Sequence, residues 1–195
     1  IESRGLGDVY KRQDNDLPIT DCSPGFGSVA KYVATSTLEA GLDVKSMSET
    51  STKVFILEVM GRHAGWIAAA SALAARNETD PPHIILMPEV PFAKKKFINK
   101  VKQTVANEGF CVVVASEGAR YKNGMFLADS GLTDAFGHKQ LGGVAPVLAQ
   151  MISSIGLKNH WAVSDYLQRS ARHISSKTDL CLLYTSDAAD DDVRV

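Results

Sequence analysis

The sequence predicts an α/β protein built on a largely parallel sheet, and three observations carry that expectation. Short apolar runs of strand length recur along the chain: VFILEVM at 54–60, HIILM at 83–87 and CVVVA at 111–115. Longer Ala-rich or amphipathic stretches lie between them, the alternation expected of strand–helix units. Pro88 and Gly109 punctuate the joins between the two kinds of segment.

Taken in order, residues 25–40 read as a helix, with Ser23 and Pro24 as its start signals. Residues 54–60 form the first strand, and the Ala-rich GWIAAASALAAR at 65–76 the helix that follows it. The strand at 83–87 is closed by Pro88. In KKKFINKVKQTVANEG, Phe97, Val101 and Val105 recur at i+4, which makes a helix with Gly109 as its stop. Its lysines, Lys94 to Lys96 and Lys100, read as a solvated face rather than a nucleic-acid patch. The run at 111–115 is a buried strand that leads straight into SEGAR, residues 142–155 read as a helix, and 161–163 as a short strand leading into SDYLQRS. Loops then gather at the carboxyl ends of the strands, the edge where such sheets bind ligands.

Composition bounds the function. At 45% hydrophobic and 22% charged, the 195 residues describe an ordinary globular chain with enough apolar matter for a core. A net charge of −1 gives no reason to expect nucleic acid or a membrane surface as partner. No apolar run approaches the ~20 residues that a membrane helix needs. Cys22 and Cys111 are far apart and lack metal-ligand spacing, which fits a reduced, cytoplasmic setting.

Both ends are unlike the rest. SRGLGDVYKRQ at 3–13 and CLLYTSDAAD at 181–190 can be encoded as inverted repeats of each other: the reverse complement of the codons for 8–13, shifted by one base, runs through those for 181–186. Independent protein termini have no reason to be so related, and the strings resemble the transposon end and adapters used in preparing sequencing libraries. The expected organisation is therefore a protein segment at 14–180 between adapter-derived residues 1–13 and 181–195, with edges set by DNA breakage.

Four short constellations suit chemistry. In Asp14-Asn15-Asp16, an extended strand end would project both carboxylates to one side, where one holds a divalent cation and the other accepts a proton. Taken alone, the same string also reads as a polar turn or helix cap. Met60-Gly61-Arg62-His63-Ala64-Gly65 joins a strand to a helix; its glycines let backbone approach a ligand, and Arg62 suits phosphate oxygens, or else pins the loop. His63, with no evident acid or nucleophile as partner, reads as packing. Glu117 in SEGAR can accept hydrogen bonds from sugar hydroxyls, or cap a helix. Tyr166 and Arg169 offer a hydroxyl and a guanidinium close together, a grip for a monophosphate, and Arg172, His173 and Lys177 make that segment basic. A fifth pattern, G-x-G-x-x-A from Gly25 to Ala30, fits dinucleotide-binding turns but follows PITDCSP instead of an apolar strand. The chain has no Walker A sequence.

In order, DNDLPITD, GFGSVAKY, KVFILEVMGRHAGWIA, SEGAR and DYLQRSARH resemble the phosphofructokinase family, and the resemblance spans 14–180. It implies two Rossmann-like, three-layer α/β domains, of which this chain holds most of the second, the fructose 6-phosphate domain. It implies that Asp14 is the base for the sugar's C1 hydroxyl and that Asp16 helps to hold Mg²⁺. Met60, Gly61, Arg62 and Glu117 match sugar-phosphate contacts, with Arg62 also facing the transferred phosphoryl group, and Tyr166 and Arg169 match the 6-phosphate end. Two arginines that reach the 6-phosphate from a neighbouring subunit in bacterial ATP-dependent members fall on Lys53 and His160, with Lys158 as a substitute. Lys53 keeps the charge but loses the fork. Such contacts imply a homo-oligomer.

For the phosphoryl donor, DNDLPITDCSPGFGSVAKY and Tyr166, where ATP-dependent bacterial members have histidine, resemble the pyrophosphate-dependent class. The residues that decide between pyrophosphate and ATP lie upstream of Asp14, and Lys11 belongs to the adapter string. The resemblance thus implies a glycolytic transfer of phosphoryl from pyrophosphate to fructose 6-phosphate. ATP-dependent transfer and a non-catalytic sugar-phosphate-binding subunit are the alternatives, and a dinucleotide oxidoreductase resting on Gly25 to Ala30 is a third. Lacking the donor half, the 195-residue polypeptide is expected to be inactive by itself.

Overall fold

The computed structural model describes residues 13–17, 21–133, 139–141 and 143–181; the terminal strings, apart from Gln13 and Cys181, and Gly142 lie outside them. Its elements, in chain order, are α1 (Phe26–Met47), β1 (Val54–Val59), α2 (Trp66–Ala70) continued by a 3₁₀ turn (Ser71–Ala74), β2 (Ile84–Leu86), α3 (Lys94–Glu108), β3 (Cys111–Ser116), β4 (Asp129–Thr133), β5 (Lys139–Leu141), α4 (Val144–Ser153), β6 (Asn159–Val163) and α5 (Asp165–Ser170), with a 3₁₀ turn at Arg172–Ile174. Strands β2, β3, β1 and β6 lie side by side in that order, and every pairing among them is parallel. β4 and β5 pair antiparallel as a separate two-stranded ribbon.

The central strands β1 and β3 are buried on both faces, so their runs are nearly continuous in apolar residues. On one face Val54 and Ile56 of β1 and Val113 and Ala115 of β3 pack with Phe97 and Val101 of α3 and with Val144, Leu148 and Ile152 of α4. On the other, Leu57 and Val59 with Val114 meet Val29 and Val33 of α1 and Ile67 of α2. The result is three layers, helix, sheet and helix, from the period-two alternation of strand side chains. Each large apolar side chain so enclosed contributes about 1.5–3 kcal/mol relative to exposure. Lys94, Lys95, Lys96 and Lys100 are exposed along α3, the solvated face expected of them.

Several boundaries differ from the sequence expectation. The first helix starts at Phe26 and runs on to Met47, because Val33, Thr37, Gly41 and Val44 keep a buried stripe beyond residue 40. A dinucleotide fold also needs a ribose-binding acid at a strand end about 20 residues after its glycine turn; Asp43, the acid near that spacing, lies within the helix. The Ala-rich helix is short, tightening to 3₁₀ after Ala70 and ending where Ala75 turns extended (φ −75°, ψ 131°). α4 begins two residues late, since Gly143 holds φ 96°, ψ 127°, outside the helical region. β6 begins at Asn159 because its backbone pairs with β1 from Val54 onward. Among the described residues no helix is long and apolar enough to cross a membrane.

Ser23 does not cap α1: its hydroxyl is buried without a partner among the described residues. The cap comes from the far end of the chain. The Asp179 carboxylate accepts the N–H of Gly25 (2.9 Å), the N–H of Ser28 (2.6 Å) and the hydroxyls of Ser28 and Ser176. A Cβ on Gly27 would come 2.8 Å from Ser176 Oγ. The G-x-G-x-x-A turn is thus filled by the chain's own carboxylate, where a dinucleotide fold would place a pyrophosphate.

Candidate active site

Four segments meet at the carboxyl edge of the sheet: the turn at 13–16, the loop at 60–65 after β1, the loop at 116–120 after β3, and α5 after β6. Of the two readings of DND, the polar turn is the one the structure has, and the extended strand end is not. Asn15 sits in the left-handed region (φ 57°), where its Oδ1 accepts the N–H of Ser23 at 2.7 Å and its Nδ2 reaches the carbonyl of Asp21 at 3.4 Å. Short polar side chains tolerate that conformation by bonding locally in this way. Gln13, 3% exposed, packs beneath, its Nε2 donating to Met60 Sδ at 3.1 Å.

The turn carries Asp14 into the site. Its carboxyl is pushed up to about 6, first by burial and then by the charges of Asp16 and Glu117, while Arg169 and Arg62 pull the other way. All five named groups are therefore within electrostatic reach of one another's site, although they come from four separate segments. Glu117 is also pushed up by burial, opposed by the Arg62 guanidinium, by the Gly61 N–H that it accepts and by His63.

The loop at 60–65 is held by backbone approach. Gly61 adopts φ 123°, and a Cβ there would strike the Ala64 carbonyl at 2.6 Å. Ser116 Oγ donates to the Gly61 carbonyl and accepts the N–H of Gly118 at 3.2 Å. Glu89 Oε1 accepts the N–H of Gly65 at 2.7 Å, fixing the start of α2. Arg62 Nε is buried with no partner among the described residues, a forked donor left for a ligand. His63 does not pack; it is exposed, on the loop's outer side, with its charge felt at Glu117. The reason it reads otherwise in sequence is that its acidic neighbour lies on another loop.

α5 docks through Gln168, which is 1% exposed and accepts the N–H of Met60 at 3.2 Å. That leaves Arg169 beside the cluster and Tyr166 outside it, 62% exposed, with the guanidinium carbon 4.1 Å from its ring centroid. The proximity expected of the pair is real, but the cation lies over the ring face. Behind the site, buried Glu58 of β1 accepts the N–H of Ala145 at 2.7 Å, anchoring α4. Arg172, His173 and Lys177 are exposed, as their basic run suggests.

Lys53 is not part of this cluster. It precedes β1, seven residues before Met60, so the two lie about 23 Å apart along the strand. Its N–H donates to the Lys158 carbonyl at 2.9 Å, and His160 follows on β6, so all three sit at the amino edge. Among the described residues no group of three or more His, Cys, Asp or Glu side chains is placed to hold a metal.

Comparison with known proteins identifies the family. A family model described as Phosphofructokinase matches residues 9–183. The chain belongs to the phosphofructokinase family. It is 66% identical over 177 residues to the pyrophosphate–fructose 6-phosphate 1-phosphotransferase of Halomonas elongata, covering 90% of this chain and 42% of that protein. The crystal structure of the pyrophosphate-dependent phosphofructokinase of Marinobacter aquaeolei superposes with a TM-score of 0.76 at 61% identity, over 88% of this chain and 40% of that one. An ATP-dependent 6-phosphofructokinase of Streptomyces coelicolor is more distant, 36% identical over 163 residues, 83% of this chain and 45% of that protein. The phosphofructokinase chain here thus spans well under half the length of the relatives it matches.

Sequence reasoning named Asp14, Arg62, Glu117 and Arg169, which come together. It missed Ser116, Glu89, Arg120 and Gln168, whose partners are backbone groups on distant loops. The SEGAR motif, which contains Ser116 and Arg120, and DYLQRSARH, which contains Gln168, gave the signals.

Proposed function

We propose that this chain supplies the sugar-phosphate-binding part of an enzyme that transfers a phosphoryl group from pyrophosphate to the C1 hydroxyl of fructose 6-phosphate. The products are fructose 1,6-bisphosphate and orthophosphate, a step of glycolysis. The observation that carries the reading is the convergence of Asp14 and Glu117 with Arg62 and Arg169 at one sheet edge. Phosphoryl transfer needs positioning and charge neutralisation more than covalent chemistry, and this set offers both.

In this reading Asp14 accepts the proton of the C1 hydroxyl as that oxygen attacks phosphorus. Arg62, whose Nε has no partner among the described residues, neutralises the equatorial oxygens of the transferred group. The backbone at Met60 and Gly61 and the Glu117 carboxylate hold the sugar, and Tyr166 and Arg169 hold the 6-phosphate. Mg²⁺ fits the acids present: it is commonly bound by one or two carboxylates together with substrate phosphates, and exposed Asp16 beside Asp14 offers that. When bound it would neutralise charge on the donor phosphates.

Pyrophosphate as donor is supported by likeness to proteins named for it at 58–66% identity, against 36% for an ATP-dependent one. Lys53, about a strand's length from its own chain's cluster, supports a homo-oligomer in which it serves a neighbouring copy, with His160 or Lys158 beside it. A cytoplasmic setting accords with this reaction. A purely regulatory subunit has no use for the base Asp14.

The test is an assay of the full-length protein with fructose 6-phosphate, Mg²⁺ and either pyrophosphate or ATP. Turnover with pyrophosphate alone is expected. Turnover with ATP alone overturns the donor, and turnover with neither overturns the catalytic reading in favour of a binding subunit.

A further inference from the structure

Arg120 closes the SEGAR motif, and the function described above leaves it without a role. Its side chain reaches back across the site. Nη2 donates to the Arg62 carbonyl at 3.2 Å, and Nε to the Gly118 carbonyl at a longer 3.5 Å. The guanidinium carbon stands 4.8 Å from the centroid of the Phe126 ring, which supports it from the opposite side. The same Arg62 carbonyl is pressed against Gly118 so closely that a Cβ on Gly118 would come 2.1 Å from it. The carbonyl is thus wedged between a missing side chain and a forked cation.

We propose that Arg120 is a positioning residue: by bonding the Arg62 and Gly118 carbonyls at once, it fixes the loop at 60–65 on the loop at 116–120, so that the Arg62 guanidinium stays aimed at the transferred phosphoryl group. The role of Arg62 rests on the reading under Proposed function, but the clamp itself does not. Arg suits the task because its planar fork serves two separate acceptors, whereas an ammonium is a point charge. Glu117 is anchored apart from the clamp: its own N–H donates to the Val59 carbonyl at 2.9 Å, and its carboxylate in turn holds the strand end of the loop through the Gly61 N–H. Loss of Arg120 therefore loosens the phosphoryl end of the site and spares the sugar end.

The experiment is amide hydrogen exchange on the full-length protein without substrate, comparing wild type with Arg120→Met, together with kcat and KM for fructose 6-phosphate. Faster exchange confined to 61–65 is expected, with β3 still protected. A kcat some 10- to 100-fold lower is expected, as for a misplacement of about 1 Å, with KM changed by less than about 2-fold. Wild-type exchange at 61–65 in Arg120→Met overturns the clamp, and a raised KM with kcat intact overturns its link to Arg62. Should Arg120→Met lose protection in β3 as well, Arg120→Lys decides. It keeps a cation near Phe126 but replaces the two separate donor nitrogens by a single one on a shorter stem, so a loop-confined rise is again expected and wild-type exchange overturns the proposal. A wild-type protein inactive with pyrophosphate would sink the functional reading while leaving the exchange result to judge the clamp.

Discussion

The amide of Met60 donates to Gln168 Oε1 at 3.2 Å, and this bond, with that of the Ser164 N–H to the Glu58 carbonyl at 2.9 Å, registers α5 on the end of β1. Gln168 is 1% exposed, and the residue after it is Arg169. Replacing Gln168 by Ala removes the acceptor and opens a cavity, so a loss of about 2 kcal/mol in unfolding free energy is expected. With Arg169 no longer held against the site, KM for fructose 6-phosphate should rise as well. Denaturant unfolding and steady-state kinetics on the same variant check both.

Asp14 gives a pH-dependent stability whose sign follows from its position. The folded protein holds its carboxyl at about 6, above the ordinary value of 3.8, so the folded state binds the proton more tightly than the unfolded state. The corresponding stability is fully present below about pH 3.8 and is lost as pH rises through 6. In metal-free protein with chelator present, Asp14→Asn should therefore raise Tm at pH 8 and leave it nearly unchanged at pH 3.5. The same variant should have no phosphoryl-transfer activity. Equal Tm differences at the two pH values would contradict the burial of this carboxyl.

Gly118→Ala tests the close approach of the two loops. The new Cβ would meet the Arg62 carbonyl at 2.1 Å, and backbone on both sides leaves little room to yield. A cost of about 1–3 kcal/mol is expected, in the range of overpacked interiors. Thermal unfolding reads the cost, and kcat should fall with it because Arg62 is displaced.

Asp179→Ala removes the acceptor shared by Gly25, Ser28 and Ser176. Loss of a charged cap at a long helix should destabilise by about 2 kcal/mol. Asp179→Asn, which keeps one carbonyl oxygen, should lose less. Chemical denaturation of the two variants side by side gives the comparison.

The layers of the fold were legible because burial on both sheet faces leaves apolar runs that need no partner to be seen. Arg62, Glu117 and Arg169 were legible because each sits in a short string after a strand, and Asp14 because a second acid stands two residues from it. The fixtures around them were not. Gln168, Ser116 and Arg120 act on the backbone groups of Met60, Gly61 and Arg62, and nothing in a backbone group marks which side chain will reach it. His63 was misread for a related reason, as the acid whose field it alters is on a different strand's loop. The extended reading of Asp14 to Asp16 failed at Asn15, where local bonds to Ser23 and Asp21 outweigh the cost of a left-handed residue.

The carboxylate that closes α1 lies 151 residues beyond Ser28. A ribosome adding about 5–20 residues per second needs roughly 8–30 s to travel that distance. Throughout that interval α1, the longest of the described helices, has its amino end uncapped. α1 is thus latched only after strands β1, β2, β3 and β6 have been made, and a chain released before Asp179 would carry that sheet complete but α1 unlatched.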